Sequence, residues 1–317
     1  MGEFKLETPI AYIIFNRLDC VQESFQCIKK IRPPKLYLIS DGPRKEKSGE
    51  AEKVEAVRTY VEGQIDWPCE VKRNFAKQNM GCKYRIYSGL NWVFEQEEQA
   101  IILEDDCVPM DCFFQYCQEL LDLYRDDEQV MMISSFNILH TQKSKDPYFF
   151  SKFPSVWGWA TWKSAWGKMD LEMSGWEQAK REGTVRYAYD AVSYLTYKKV
   201  ADNASKGKLQ SWAVPWGFTR FIHHGVGIVP GGNMIRNVGY GRADATNTSQ
   251  ETTDDFSYGK AISFPLPYQE IIEPDMGYDK GYLKKYFGIK KLWNNVKYLF
   301  KRLGPKLLEI FKGKGKK

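Results

Sequence analysis

The sequence predicts an α/β fold, a mostly parallel sheet flanked by helices, followed by a basic amphipathic helical tail. Three observations predict it. Short β-rich apolar runs alternate with segments whose apolar residues recur at helical spacing, and strands joined by helices in this way form a parallel sheet covered on both faces. The 317 residues are 43% hydrophobic and 27% charged, the composition of a globular chain with a substantial core. Charge is unevenly divided: residues 283–317 hold twelve Lys/Arg and one acid, so with +6 on the whole chain the other 282 residues carry −5.

In chain order, residues 9–15 (PIAYIIF) form the first β-rich run, and residues 19–31 follow as a helix with Val21, Phe25 and Ile28 on one face. Residues 35–40 (KLYLIS) form the second run and stop at the turn Asp41-Gly42-Pro43. A third strand is expected at 69–75, a helix at 82–95, and a fourth strand at 100–103. The next helix places Phe113, Cys117, Leu120 and Tyr124 on one face, with Asp111 available as its N-cap.

Several function classes recede at once. No apolar run approaches the roughly eighteen residues of a membrane span, and the opening MGEFKLETP has no apolar stretch of signal-peptide length, so the expected location is cytoplasmic. The seven cysteines include no C-x-x-C pair, which argues for reduced packing residues over a disulfide framework or a zinc site. Neither a G-x-x-x-x-G-K-[ST] loop nor a G-x-G-x-x-G fingerprint is present, which disfavours an ATPase or a dinucleotide enzyme. Nucleic-acid binding is disfavoured because the positive charge is confined to the tail.

The chemistry concentrates where strands end. Phe15-Asn16-Arg17, Ser40-Asp41-Gly42 and Leu103-Glu104-Asp105-Asp106 all close predicted parallel strands, and ligands of such sheets bind beyond those carboxyl ends. Three adjacent acids repel one another unless a cation sits among them. A hard Mn²⁺ or Mg²⁺ ion, taking one or two carboxylates and completing its shell with substrate phosphate and water, suits them. The plainer reading is a solvated turn with one acid capping the next helix.

Seven segments in fixed order carry a resemblance: PIAYIIFNR (9–17), LISDGP (38–43), NMGCKYRI (79–86), IILEDDCVPMDCFFQY (101–116), WGWATW (157–162), SWAVPW (211–216) and IVPGGNMIRNVGYG (228–241). With them the chain resembles nucleotide-diphospho-sugar glycosyltransferases of the GT-A (Rossmann-like) fold, of a bacterial surface-polysaccharide type similar to N-acetylglucosaminyltransferase I. The resemblance covers about residues 9–250. It implies a nucleotide-sugar-binding half at 1–130 and an acceptor-binding half at 131–282. It further implies that Arg17 and Asp41, with Gly42 and the Phe15 and Asn16 backbone, hold the base and ribose, and that Asp106 is the metal ligand. Asp105 then touches ribose or sugar, and Glu104 the transferred sugar. Asn79 lies by the donor, and Arg85 is either a phosphate partner or a surface ion pair. Trp157, Gly158, Trp159, Ser211 and Trp212 fall to the acceptor, although tryptophans also fill cores.

The departures matter. Where inverting members carry a carboxylate base, this chain has Gln210 and Ser211, and neither is a base at neutral pH. Asp190, Asp202 and the pair His223-His224, itself readable as a helix C-terminus that favours imidazolium, are the nearby alternatives. Where the metal-reaching histidine often stands, residues 245–248 read ATNT. A catalytically weak nucleotide-sugar-binding or scaffolding protein therefore stays open, as does nucleotidylyl transfer, although that class begins with a basic glycine-rich loop. Residues 241–255 read as a donor-dependent lid with Arg242 toward phosphate, or as a surface loop. In the tail, Leu292, Val296, Leu299 and Leu303 form a stripe opposite lysines, suited to an anionic membrane surface beside a lipid-linked saccharide or to packing on the body.

Overall fold

A computed structural model describes residues 4–139, 146–242, 258–259 and 262–287. The run IAYII forms β1 (Ile10–Ile14), buried along its whole length. Alternation along it sorts the two faces of the molecule, with Ile10, Tyr12 and Ile14 in one apolar cluster and Ala11 and Ile13 in the other. Helix α1 (Leu18–Ile31) returns over the first face and leads to β2 (Lys35–Ser40). Helix α2 (Glu50–Gln64), β3 (Glu70–Phe75), α3 (Gly81–Phe94) and β4 (Gln99–Glu104) follow. Next come β5 (Cys107–Pro109), α4 (Phe113–Leu123), β6 (Val130–Ser134), β7 (Tyr148–Ser151), β8 (Trp159–Trp162) and α5 (Lys163–Trp166). The described chain closes with α6 (Trp176–Glu182), α7 (Ala191–Ser205), α8 (Ala213–Ile222), β9 (Val226–Pro230), β10 (Ile235–Asn237) and α9 (Met276–Tyr286).

The main sheet has eight strands in the order β3-β2-β1-β4-β8-β6-β9-β7. Only β8 and β7 run against the others, so the expected α/β class with a mostly parallel sheet is what the chain adopts. Phe25 of α1, Val57 and Val61 of α2 and Cys117 and Leu120 of α4 cover the face of Tyr12. Ile86 and Leu90 of α3, Trp166 of α5 and Trp216 of α8 cover the face of Ile13. A third cluster, built on Phe153, Trp176, Tyr197 and Phe218, packs α6 and α7 outside α8. All seven cysteines are free thiols.

Several expectations need correction. Asp111 caps nothing: it pairs with Lys30 at 2.6 Å, and the N-cap position of α4 is Cys112. One sheet runs through residues 1–130 and 131–282 alike, since β4 pairs with β8 from Gln99↔Trp162 to Ile102↔Trp159. The boundary drawn at 282/283 cuts α9, whose Leu283 is buried in the third cluster with Tyr282 and Phe287 packed beside it. Residues 288–317, most of the expected tail, lie outside the described residues, as do residues 243–255 of the expected lid. Among the described residues no helix is long and apolar enough to cross a membrane.

Candidate active site

The β1 and β4 ladders are neighbours, with Ile13 opposite Glu104, so the two strand ends deliver Phe15-Asn16-Arg17 and Glu104-Asp105-Asp106 to one place. Arg17 Nη2 donates to both Asp105 Oδ1 and Asp106 Oδ2, the second at 2.9 Å. The Phe15 N–H adds a 3.2 Å bond to Asp105 Oδ2, and Ser24 Oγ of α1 holds the Asp105 carbonyl at 2.7 Å. A guanidinium between two carboxylates is the compensation that three adjacent acids require.

The compensation is incomplete. Burial, then Asp106 and Asp105, push the Glu104 carboxyl up to about 8, with Arg17 opposing. Burial also lifts Asp105 to about 6 against the pull of Arg17. The same carboxylates hold the Arg17 guanidinium firmly charged, above its usual value despite the burial that opposes this. The Glu104 carboxylate has no hydrogen-bond or ion-pair partner among the described residues. The cluster is therefore short of positive charge.

A second small sheet closes over Asp106. Strand β10 pairs antiparallel with β5, Asn237 opposite Cys107. The chain then crosses the acid: Val238 N donates to the Asp106 carbonyl at 2.9 Å and Asn237 Nδ2 to Asp106 Oδ1 at 3.3 Å. Gly239 packs so closely that a Cβ there would overlap Asp106 Oδ2 and Arg17 Nη1. Three residues on, Arg242 pairs with Asp19 in the first turn of α1 at 2.6 Å. Asn237 and Gly239 were visible only as part of a quoted motif.

The end of β2 differs from expectation. Asp41 Oδ1 accepts the N–H groups of Gly42 and Met80 at 2.8 and 2.9 Å, and Oδ2 accepts Asn79 Nδ2 and the Gly81 N–H at 3.0 and 2.9 Å. A carboxylate has about four acceptor positions, and all are filled. Asp41 pins the start of α3 to β2 and is not left to read a base, and the Asn79 amide nitrogen serves that pin. Gly42 allows the close approach, since a Cβ would lie 2.5 Å from the Gln78 carbonyl carbon. Arg85 is a buried side chain bonded to Asn74 and Ser88, so it is neither a surface ion pair nor aimed at the acids.

Of the residues expected at the acceptor, the tryptophans divide. Trp159 and Trp212 are buried and stacked on each other at 5.4 Å, with Trp166 and Trp216 around them, so they are core and present no face to a sugar. Trp157 is half-buried, 5.4 Å from Tyr240 and 4.6 Å from Phe136. Gly158 takes φ +58° with its Cβ position filled by Ile235, and its carbonyl accepts from Ser135. Ser211 is half-buried just before α8. The alternative bases are occupied: Asp190 caps α7, and Asp202 holds Trp176 Nε1 and Lys180. His223 ends α8, where burial and Lys168 lower its pKa and disfavour imidazolium.

The donors can be tested against a divalent cation. Among the described residues no cluster of three or more His, Cys, Asp or Glu side chains could enclose one. What is offered is the Asp106 carboxylate with buried acids behind it, which fits the mode in which Mg²⁺ or Mn²⁺ binds one carboxylate jointly with phosphate and water. No protein-family model and no curated protein matches the chain. Among solved structures, a mannosyltransferase from Pyrobaculum calidifontis, in complex with GDP-Man and Mn2+, aligns over 68% of this chain and 74% of its own at 11% identity and TM-score 0.35. A 4-diphosphocytidyl-2C-methyl-D-erythritol synthase from Anaerococcus prevotii aligns over 55% and 76% at 12% identity and TM-score 0.31. Likenesses this distant leave the argument to the chain's own geometry.

Proposed function

We propose that the chain is a metal-dependent GT-A-type glycosyltransferase that moves a sugar from a nucleotide-diphosphate donor, a UDP-sugar in the first instance, to a saccharide acceptor. The observation that carries this reading is the convergence of Arg17, Asp105 and Asp106 at the ends of two parallel strands, under a backbone crossing fixed by Asn237 and Gly239. An under-compensated acidic cluster at that edge suits a cation arriving with a diphosphate. Asp106 would hold the ion, with Asn237 fixing its carboxylate. Bound there, Mn²⁺ or Mg²⁺ neutralises charge on the leaving nucleoside diphosphate. Arg17, held by Asp105, supplies a second, permanent positive charge beside it, and Glu104 is the acid this reading places beside the sugar. The acceptor enters from the side of Trp157. A lipid-linked saccharide of a bacterial surface polysaccharide, met at the inner face of the membrane through residues 288–317, is the acceptor this reading favours.

The test is release of nucleoside diphosphate across a panel of donor sugars, with and without Mn²⁺. Asp106→Ala is expected to abolish metal-dependent donor binding, and Asp106→Asn to lose most turnover with the fold intact. Wild-type transfer by Asp106→Ala at ordinary metal concentrations would overturn the metal assignment. Donor binding without turnover on any acceptor would favour the binding or scaffolding protein.

A further inference from the structure

Glu50 opens α2 and is buried, although it is a carboxylate far from the acidic cluster in sequence. Gly49, with φ +74°, turns the chain so that this side chain points back toward the end of β1. There it gathers two residues. Asn16 Nδ2 donates to Glu50 Oε1 at 2.9 Å. The Arg44 N–H donates to Oε2 at 2.7 Å, its Nε to Oε2 at 2.9 Å, and its Nη2 to Oε1. The Arg44 guanidinium lies 5.6 Å from the centre of the Phe15 ring. Its side chain stays 41% exposed while that of Glu50 is 5% exposed, so the buried acid holds an open cation.

An ionised carboxylate only accepts hydrogen bonds, so it dictates which way the Asn16 amide turns. Nδ2 faces Glu50, and Oδ1 accepts no hydrogen bond among the described residues. Arg44 and its hydrogen bonds keep Glu50 ionised, below the usual glutamate range. The turn is also tied at its other side, because the Phe15 N–H holds Asp105. An acceptor oxygen, an open guanidinium and an aromatic ring thus share the end of β1, next to Arg17, while Asp41 is fully used inside the protein.

Resting on the nucleotide-sugar reading above, we propose that Glu50 is the positioning residue of a nucleobase subsite in which Asn16 Oδ1 accepts from a base N–H and Arg44 donates to the adjacent base carbonyl. Uracil and guanine present that pair. Cytosine and adenine place a ring nitrogen lone pair where the N–H should be, against the lone pairs of Oδ1.

The test is calorimetric binding of UDP, GDP, CDP and inorganic pyrophosphate, each with Mg²⁺, to the full chain and its variants. Wild type is expected to prefer UDP or GDP over CDP. Glu50→Gln frees the amide to turn over and is expected to weaken the preferred diphosphate about tenfold, leave CDP nearly unchanged, and leave pyrophosphate unchanged. Asn16→Ala and Arg44→Ala are expected to erode the same preference with Glu50 in place, which carries the test if Glu50→Gln unfolds. Unaltered preference in these variants would overturn the subsite, and so would an equal loss on pyrophosphate, which marks general collapse of the crevice. A wild-type chain that binds no nucleoside diphosphate would overturn the nucleotide-sugar reading itself.

Discussion

Gly239 sits where the β10 crossing touches both Asp106 and Arg17, so its missing side chain sets the spacing of the acidic cluster. Gly239→Ala is expected to push the loop off Asp106 and weaken metal-dependent donor binding at least tenfold. Its unfolding temperature should change little, because the loop can lift without opening the sheet; equal donor affinities by titration calorimetry would refute this. Glu50 gives a pH prediction. Arg44 lowers its folded pKa below 4.5, so the stabilisation is present above the unfolded pKa and lost as pH falls through the folded one. The stability difference between wild type and Glu50→Gln is therefore expected to be largest above pH 4.5 and to shrink as pH falls below it in chemical unfolding. Arg17, Asp105 and Asp106 were legible in the sequence because position after a buried strand nearly fixes where such residues go. Glu50 was not, because its meaning lies in Asn16, thirty-four residues earlier, and in an intervening loop whose path no local pattern reveals.

Strands β1 to β4 declared themselves by apolar run and helices α1, α3 and α4 by spacing, while α2 and most elements from β6 onward were not read in the sequence. Helix α2 buries only Glu50, Val54, Val57 and Val61 among many charges, a stripe too thin to stand out until the neighbouring α1 is in place. The short strands β5 and β10 were equally hidden, since three-residue pairs have no periodicity to read. Tryptophan was ambiguous for a different reason, because the same ring serves a core or a sugar and only burial decides. That gives a paired prediction on the β8 segment. Trp159→Ala, which empties a fully packed site, is expected to cost about 3–5 kcal/mol in urea unfolding. Trp157→Ala is expected to cost much less and to raise the KM for acceptor; equal destabilisation by the two would contradict the division between core and crevice.

One sheet carries both the acids and the Trp157 segment, so these two cannot close on each other by a hinge between separate bodies. Any closure has to come from loops at the strand ends. The basic tail begins beyond α9, and the packing of Leu283 and Phe287 moves the proper truncation point to 288. Removing residues 288–317 is expected to release the protein from anionic liposomes and reduce transfer to lipid-linked acceptors, with transfer to short soluble acceptors retained. Co-sedimentation of the truncated chain at wild-type levels in low salt would end the membrane proposal.

The packing of Trp159, Trp166, Trp212 and Trp216, with ring centres 5.3–6.2 Å apart, has an optical consequence. Indoles this close share their excited states, so the cluster should give the folded protein an exciton-coupled circular dichroism band that no sum of isolated tryptophans reproduces. The four rings are buried in the cluster covered by α3 and α8, so the band should persist when ligands bind and vanish with the fold. Each crevice variant then carries an internal standard: a lost activity with an intact couplet belongs to chemistry, and a lost couplet belongs to folding.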